Sequence, residues 1–422
     1  MPRPPRTPKV QSVISTGSQL SPRMMGIYIG ILALSLSLIP FAIDPHLPTF
    51  PYVADFFGLP QGTIQSSIVG VTIGIAVGQI LIGPLTDAFG RRLPMIIAML
   101  GFAGATLLVM IAPSFEVFLF LRFLMGLFGA AADVIGRAIV RDLFRGQAMQ
   151  QMLSRIFMFQ ALSPILGPIV GAQLLGVGPW QNVFLVFGLV GLALSIFSMR
   201  FLVETLPVAQ RRSPSITGML RGYRSVLRDP VFVGLMFFGA SGLAGIFGYL
   251  NTVPILYQES FGLDTASFGL WVSVNAIALW FGFQSGGIMA KRFRAQWMLL
   301  VYAIAGLVVG GLMITTAGSG LLVAELLFLA QLFLFGSAGT SIPTLALYNH
   351  GTEAGSASSL LGMSAFGAAS IFGAIAAGLD ASTTLNMGIM LASFSAFALI
   401  VIFTLIKPWL MPDLRDKAEA KS

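Results

Sequence analysis

The sequence predicts an all-α polytopic membrane protein with twelve transmembrane helices in two pseudo-symmetric six-helix bundles. Three observations carry this expectation. Only 9% of the 422 residues are charged and 56% are hydrophobic, with mean hydropathy +0.88. A soluble domain carries roughly a quarter charged residues, so the solvent of this chain is lipid. Twelve apolar runs reach the about 20 residues that a helix needs to cross a bilayer: 25–46, 62–85, 93–112, 115–140, 151–175, 181–203, 231–257, 265–290, 296–316, 320–345, 354–379 and 384–407. Finally, of the 24 Lys and Arg residues, all but Arg122 fall in segments on the side of the N-terminus.

The positive-inside rule makes that side cytoplasmic. The one long polar connection, 204–230, splits the spans six and six. The expected organisation is a disordered cytoplasmic tail over 1–22, a bundle over 23–203, a cytoplasmic linker over 204–230, a second bundle over 231–408 and a tail over 409–422. A net charge of +8 fits loops facing anionic headgroups. It does not suggest a nucleic-acid surface, because the basic residues are parcelled out between apolar runs. The absence of Cys excludes disulfides and thiolate chemistry, and His46 and His350 lie too far apart in sequence to suggest a His-based metal centre. No clustered nucleophile, base or metal set points to an enzyme.

Spans two, five and eleven are rich in glycine: Gly70, Gly74 and Gly78; Gly167 and Gly171; Gly362, Gly367, Gly373 and Gly378. Such spacing serves close helix packing, and in helices that move it also permits rocking and sliding.

Between spans two and three runs Gly83-Pro84-Leu85-Thr86-Asp87-Ala88-Phe89-Gly90-Arg91-Arg92. Gly90 can supply a positive φ for a tight turn, and Asp87 can pair with Arg91 or Arg92. In span four, Arg122, Gly126, Gly129, Asp133 and Gly136 fall within about 40° of one direction at 100° per residue. An Arg or Asp near the bilayer centre costs about 2.5–3.5 kcal/mol on insertion scales, so each needs a cavity or a partner. About 16 Å of helix rise separates Arg122 from Asp133, which rules out a direct pair. Arg122 either faces a cavity for a functional reason, bonds carbonyls of a neighbouring helix or snorkels outward. Asp133 either faces the same cavity or pairs locally with Arg137. Span five carries Ser163-Pro164-Ile165-Leu166-Gly167-Pro168-Ile169-Val170-Gly171, where Pro168 removes a helix hydrogen bond. Span one ends in Ala42-Ile43-Asp44-Pro45-His46-Leu47-Pro48-Thr49-Phe50-Pro51.

Together these segments resemble the major facilitator superfamily. Gly83, Asp87, Gly90, Arg91 and Arg92 match its cytoplasmic latch, which in the family holds the outward-facing state. The Arg122 stripe is similar to its span-four motif, whose Arg is implicated in proton coupling. Pro164, Gly167, Pro168 and Gly171 resemble the antiporter motif of proton-exchanging exporters. The end of span one, Arg137 to Phe144, and Arg228-Asp229-Pro230 resemble the bicyclomycin/chloramphenicol-resistance (Bcr/CflA) branch, although Pro45 and His46 depart from its pattern. In the second half, the counterpart of the latch (Gly282 to Arg294, with Lys291 and Arg292) lacks the Asp.

The resemblance implies a major facilitator fold and a proton-coupled exporter of drugs or other small amphipathic molecules in the bacterial inner membrane. The alternative is an exporter or proton symporter of one metabolite, a sugar, purine or amino acid. Asp44, Arg122 and Asp133 are the expected proton-coupling residues. Asp44 is either the titrating carboxylate or a helix-end group in external water, and His46 is expected at the interface. Glu325 either is interfacial or lines the cavity. Expected substrate contacts are Phe159, Gln160, Tyr249, Asn251, Trp271, Asn275, Met363 and Phe366. Partners are a small-molecule substrate, protons and the lipid bilayer, with the chain acting as a monomer. No cofactor is expected, the proton gradient being the energy source.

Overall fold

The computed structural model describes residues 21–143, 156, 162–211, 216–289, 292–339, 341–347, 354–378 and 383–411. Ten of its helices are each long and apolar enough to cross a membrane, and a broken pair, Arg23–Leu36 plus Leu38–Phe57, bends by 42° and makes an eleventh span. Expected span five, 151–175, is represented by the apolar helix Ser163–Val177. Most of 151–161, including Phe159 and Gln160, lies outside the described residues, as do nearly all of the two expected tails.

Span one consists of α1 (Pro22–Leu36), α2 (Leu38–Ile43), a 3-10 turn (Asp44–Thr49) and α3 (Phe50–Phe57). Ser21 caps α1 by accepting from Met24 N, with Pro22 in the first turn. Pro45 and Pro48 lack the N–H that an α-helix needs, so the chain tightens into the turn and then resumes as helix until Gly58, whose φ of 65° ends it. The short α4 (Gln61–Ile64) leads into α5 (Ser66–Phe89), followed by α6 (Arg92–Val109), α7 (Phe115–Leu143), α8 (Ser163–Val177) and α9 (Gln181–Phe201). The 204–230 connection contains an amphipathic helix, α10 (Ile216–Val226), that packs on the eleventh span. The second half comprises α11 (Pro230–Ile255), started by Asp229 accepting from Val231 N, then α12 (Thr265–Met289), α13 (Ala295–Thr315), α14 (Leu321–Gly339), α15 (Ser341–Leu347), α16 (Ala354–Gly378) and α17 (Thr384–Val401).

The packing repeats with an offset of six spans. Helix α5 lies along α7 as α12 lies along α14; α6 pairs with α9 as α13 pairs with α17; the Asp44 turn packs on α8 as α11 packs on α16. Glycines set the same seam in each half. A Cβ on Gly74 or Gly126 would strike the backbone of Phe123 or Val71 across the α5–α7 seam, and one on Gly282 or Gly336 would strike Phe333 or Leu279 across the α12–α14 seam. Between halves the most extensive contacts among the described residues are α5 with α16 and α8 with α12. Ser370 Oγ donates to Thr72 Oγ1 at 2.8 Å, and Ser273 Oγ to the Ile165 carbonyl at 2.6 Å.

Candidate functional site

The broken first span makes the site. Asp44 opens the 3-10 turn, and because helix resumes beyond it, the carboxylate stands inside the span and is 5% exposed. The reading of Asp44 as a helix-end group in external water is therefore corrected: the span continues 13 residues further than position 44, to Phe57. Asp44 Oδ2 accepts from Ser163 Oγ at 3.3 Å, and no basic side chain pairs with it among the described residues. The small residues of α8 bring the turn close. A Cβ on Gly167 would stand 2.6 Å from Asp44 Cβ, and one on Gly171 would meet the Pro45 carbonyl and the Pro48 ring. Pro164 stands in the first turn of α8, and Pro168 lies inside the helix, its carbonyl facing Gly269 of α12.

Arg122 reaches the same turn from α7. It is fully buried, which excludes snorkelling, and its Nη1 donates to the Ala42 carbonyl two residues before Asp44. The guanidinium carbon lies 5.7 Å from the centre of the Phe184 ring. Nε and Nη2 have no hydrogen-bond partner among the described residues. One cation is thus held by one carbonyl, the Met125 sulfur at 3.8 Å and one ring, with donors to spare.

His46 is 2% exposed, which corrects its expected interfacial place. Its ring packs against Phe50, Phe118 and Phe184, and its nitrogens bond Ser67 Oγ at 2.9 Å and Thr49 Oγ1 at 2.7 Å. The Thr49 hydroxyl donates to the His46 carbonyl. Its one proton spent there, Thr49 accepts from Nδ1, and Nε2 is left to accept from Ser67.

Asp133 is also fully buried but is engaged locally: Arg137 Nη2 lies 2.6 Å from Oδ2, Arg137 Nε bonds Oδ1 at 3.1 Å, and Gln79 Nε2 of α5 donates to Oδ2 at 3.3 Å. Gln79 in turn faces Gly362 of α16. Asp133 therefore sits beside the contact between halves, apart from the Asp44 turn.

At the latch, Arg91 is almost wholly buried. Nη2 pairs with Asp87 Oδ1 at 2.8 Å, Nε with Asp142 Oδ2 at 3.0 Å, and Nη1 donates to Thr86 Oγ1 at 2.8 Å. Gly90 has φ 90°, the left-handed region that glycine favours. That turn presents the Arg91 N–H to Glu204 Oε1 at 2.8 Å, while the same oxygen accepts from Thr205 N and Leu206 N. Arg92 Nη2 donates to the Met199 carbonyl, and Arg211 Nη2 lies 3.4 Å from Glu204 Oε2. Gly83 faces Ser359 of α16. Asp142 and Glu204 are partners that the motif alone did not single out. The visible signal for Glu204 is a lone acid where span six runs into a basic linker.

The second half contains a cluster of its own. Glu325 on α14 is 1% exposed, so it is not interfacial. Its Oε2 accepts from the Tyr257 hydroxyl and, at 3.2 Å, from Asn275 Nδ2. Tyr257 belongs to a π-turn (Leu256–Ser260) that extends α11. Tyr249 packs its ring on Phe328 beside this cluster. Asn251 Nδ2 bonds the Phe247 carbonyl within α11 and faces Gly373 of α16, and Phe366 of α16 meets Phe247 edge-on. Trp271 and Met363 are half-buried. A pocket in the second half, about 250 Å³, is lined by other residues.

A family model described as the Major Facilitator Superfamily matches residues 32–374. This chain belongs to that superfamily. An uncharacterized MFS-type transporter of Bacillus subtilis is 30% identical over 385 residues, 90% of this chain and 94% of the relative. A bicyclomycin resistance protein homolog of Haemophilus influenzae is 26% identical, covering 86% of this chain and 91% of its own length. In fold, a bacterial homolog of the human lysosomal transporter Spinster, in an inward-facing and occupied conformation, superposes with a TM-score of 0.73 at 13% identity, over 93% of this chain and 98% of that one. The protein is a multi-pass membrane protein with the major facilitator fold.

Proposed function

We propose that this chain exports drugs or other small amphipathic molecules across the bacterial inner membrane in exchange for protons, by alternating access, with both termini cytoplasmic. The observation that carries the reading is Asp44: a buried carboxylate with one hydroxyl partner and no cation among the described residues, on a broken helix pressed against the glycines of α8. A carboxylate whose surroundings alternate between water and protein binds and releases a proton as the helix moves. Arg122, holding the carbonyl of Ala42, ties α7 to that movement. The name of the Haemophilus relative supports a drug as cargo. The units that rock are residues 23–203 and 231–408, joined by 204–230, and the proton gradient is the energy source of a single chain. Asp133, tied through Gln79 to the α16 contact, responds to the same motion. The Arg91 cluster keeps the ends of α5, α7 and α9 together as the latch of the outward-facing state.

The test is transport in liposomes. The parent should move bicyclomycin faster under an imposed pH gradient, acid outside, and should carry protons the other way. Asp44→Asn should lose that dependence. Drug movement indifferent to the gradient in the parent would end the proposal.

A further inference from the structure

The buried cluster around Glu325 holds acceptors with nothing to accept. The Tyr257 hydroxyl and Asn275 Nδ2 both donate to Glu325 Oε2, and Asn275 Nδ2 also donates to the Tyr257 hydroxyl oxygen at 3.1 Å. The Tyr249 hydroxyl lies against Tyr257 and Asn275 without a bond of good geometry to either. Three oxygens are left over: Glu325 Oε1, Asn275 Oδ1 and that of the Tyr249 hydroxyl. None of them has a hydrogen-bond partner among the described residues. All four side chains are at most 3% exposed. The ring of Phe328 packs on Tyr249 and Tyr257, and that of Phe268 on Tyr257, so the surroundings are apolar. No basic side chain pairs with Glu325 among the described residues.

We propose that this cluster binds one alkali-metal cation, with Glu325, Asn275 and Tyr249 as ligands and Tyr257 as the donor that fixes the carboxylate. A buried carboxylate without a counter-charge is costly. A proton on Glu325 would cancel the charge but leave Asn275 Oδ1 bare. A small cation supplies the charge and engages all three oxygens. Carboxylate, carbonyl and hydroxyl oxygens are the ligands that hard cations take. One carboxylate balances one positive charge, and no group of three or more His, Cys, Asp or Glu that would suit a divalent ion occurs among the described residues. The place also favours a cation. The cluster lies at the C-terminal end of α11, where the helix dipole is negative. The segment beyond it exposes Glu259 and Asp264, and no Lys or Arg occurs between 229 and 290. The site goes beyond the exporter reading and does not depend on it.

The test is binding at equilibrium, which needs no gradient and so fails or succeeds independently of the role of Asp44. Full-length protein in detergent is titrated with sodium chloride or potassium chloride, with choline chloride holding the ionic strength constant. Sodium, potassium or both should raise the unfolding midpoint saturably, as a ligand of the folded state does, and radioactive sodium or its potassium analogue rubidium should bind at one ion per chain. Glu325→Gln keeps the size of the side chain and should abolish both effects. Tyr249→Phe keeps the ring on Phe328 and should weaken the ion by about tenfold or more, the scale on which metal sites lose affinity when one supporting group goes. Choline, too large for the cluster, should do nothing in any variant. A parent indifferent to both alkali ions overturns the proposal and leaves a proton or water at Glu325. So does an alkali response that Glu325→Gln and Tyr249→Phe retain in full, which would place the ion elsewhere.

Discussion

Gly167 lies against Asp44 so closely that a methyl group on the glycine would stand 2.6 Å from the Cβ of the aspartate. The neighbour is the root of a side chain in a turn containing two prolines, and it cannot swing away as a flexible tip could. Gly167→Ala should therefore push the turn off α8, at about 1–3 kcal/mol, the usual cost of overpacking. Thermal unfolding in detergent should register a lower midpoint, and efflux by cells should fall with it. A variant as stable and as active as the parent would show that the turn is not held where described.

Arg122→Lys conserves charge without conserving function. The lysine has no planar group to lay against Phe184, and its compact ammonium is more strongly hydrated. A hydrogen bond to a charged donor contributes about 1.5–3 kcal/mol, so transport should fall by about ten- to a hundredfold when initial efflux rates are compared at equal expression. Retention of more than half the rate would reduce Arg122 to a generic positive charge.

Glu204→Gln tests the support of the latch. The carboxylate accepts from Arg91 N, Thr205 N and Leu206 N and lies beside Arg211. An amide retains one acceptor oxygen and sets an NH2 against the remaining donors, with an expected loss of about 1.5–3 kcal/mol. The effect should appear as a lower unfolding midpoint and as faster proteolysis of the 204–230 connection in membranes. An unchanged cleavage rate and midpoint would contradict it.

Two glycine substitutions should separate packing from helix propensity. Gly104 on α6 has nothing within 4 Å of a built Cβ, whereas a Cβ on Gly74 would overlap the Phe123 carbonyl and stand 2.8 Å from Leu127 N. Gly104→Ala should stabilise by roughly 0.5–1 kcal/mol, the helical preference for alanine. Gly74→Ala should destabilise, because both partners are backbone. Similar midpoints for the two variants would be the wrong result.

The sequence makes the apolar spans and the misplaced Arg122 readable, because the cost of charge in lipid leaves few places for an ionised side chain to go. Sequence alone leaves the burial of Asp44 open, since hydropathy locates a run of apolar residues but not a turn that interrupts it and lets the helix resume. Pro45 and Pro48 were in view; what decides the matter is the pair Gly167 and Gly171, whose contact with the turn depends on how α8 is rotated. The partners of Arg91 show the same limit. Asp87 is four residues away across the Gly90 turn and is a candidate by nearness in sequence, whereas Asp142 and Glu204 arrive from the ends of other spans. Glu325 and Tyr257 are 68 residues apart and meet where the five-residue π-turn Leu256–Ser260 extends α11. Such meetings depend on axial rotation and register between helices, which residue periodicity within one helix does not record.

The paired glycines of α5 with α7 and of α12 with α14 place main chain on main chain, with no side chains between them to act as bearings. Parting either pair would strip contact along whole helices, so each couple travels as a single strut. The give in the machine then belongs to the two crossings where α5 meets α16 and α8 meets α12. A clamp such as a disulfide engineered across either crossing should arrest turnover, while the same clamp inside a strut should leave the cycle running.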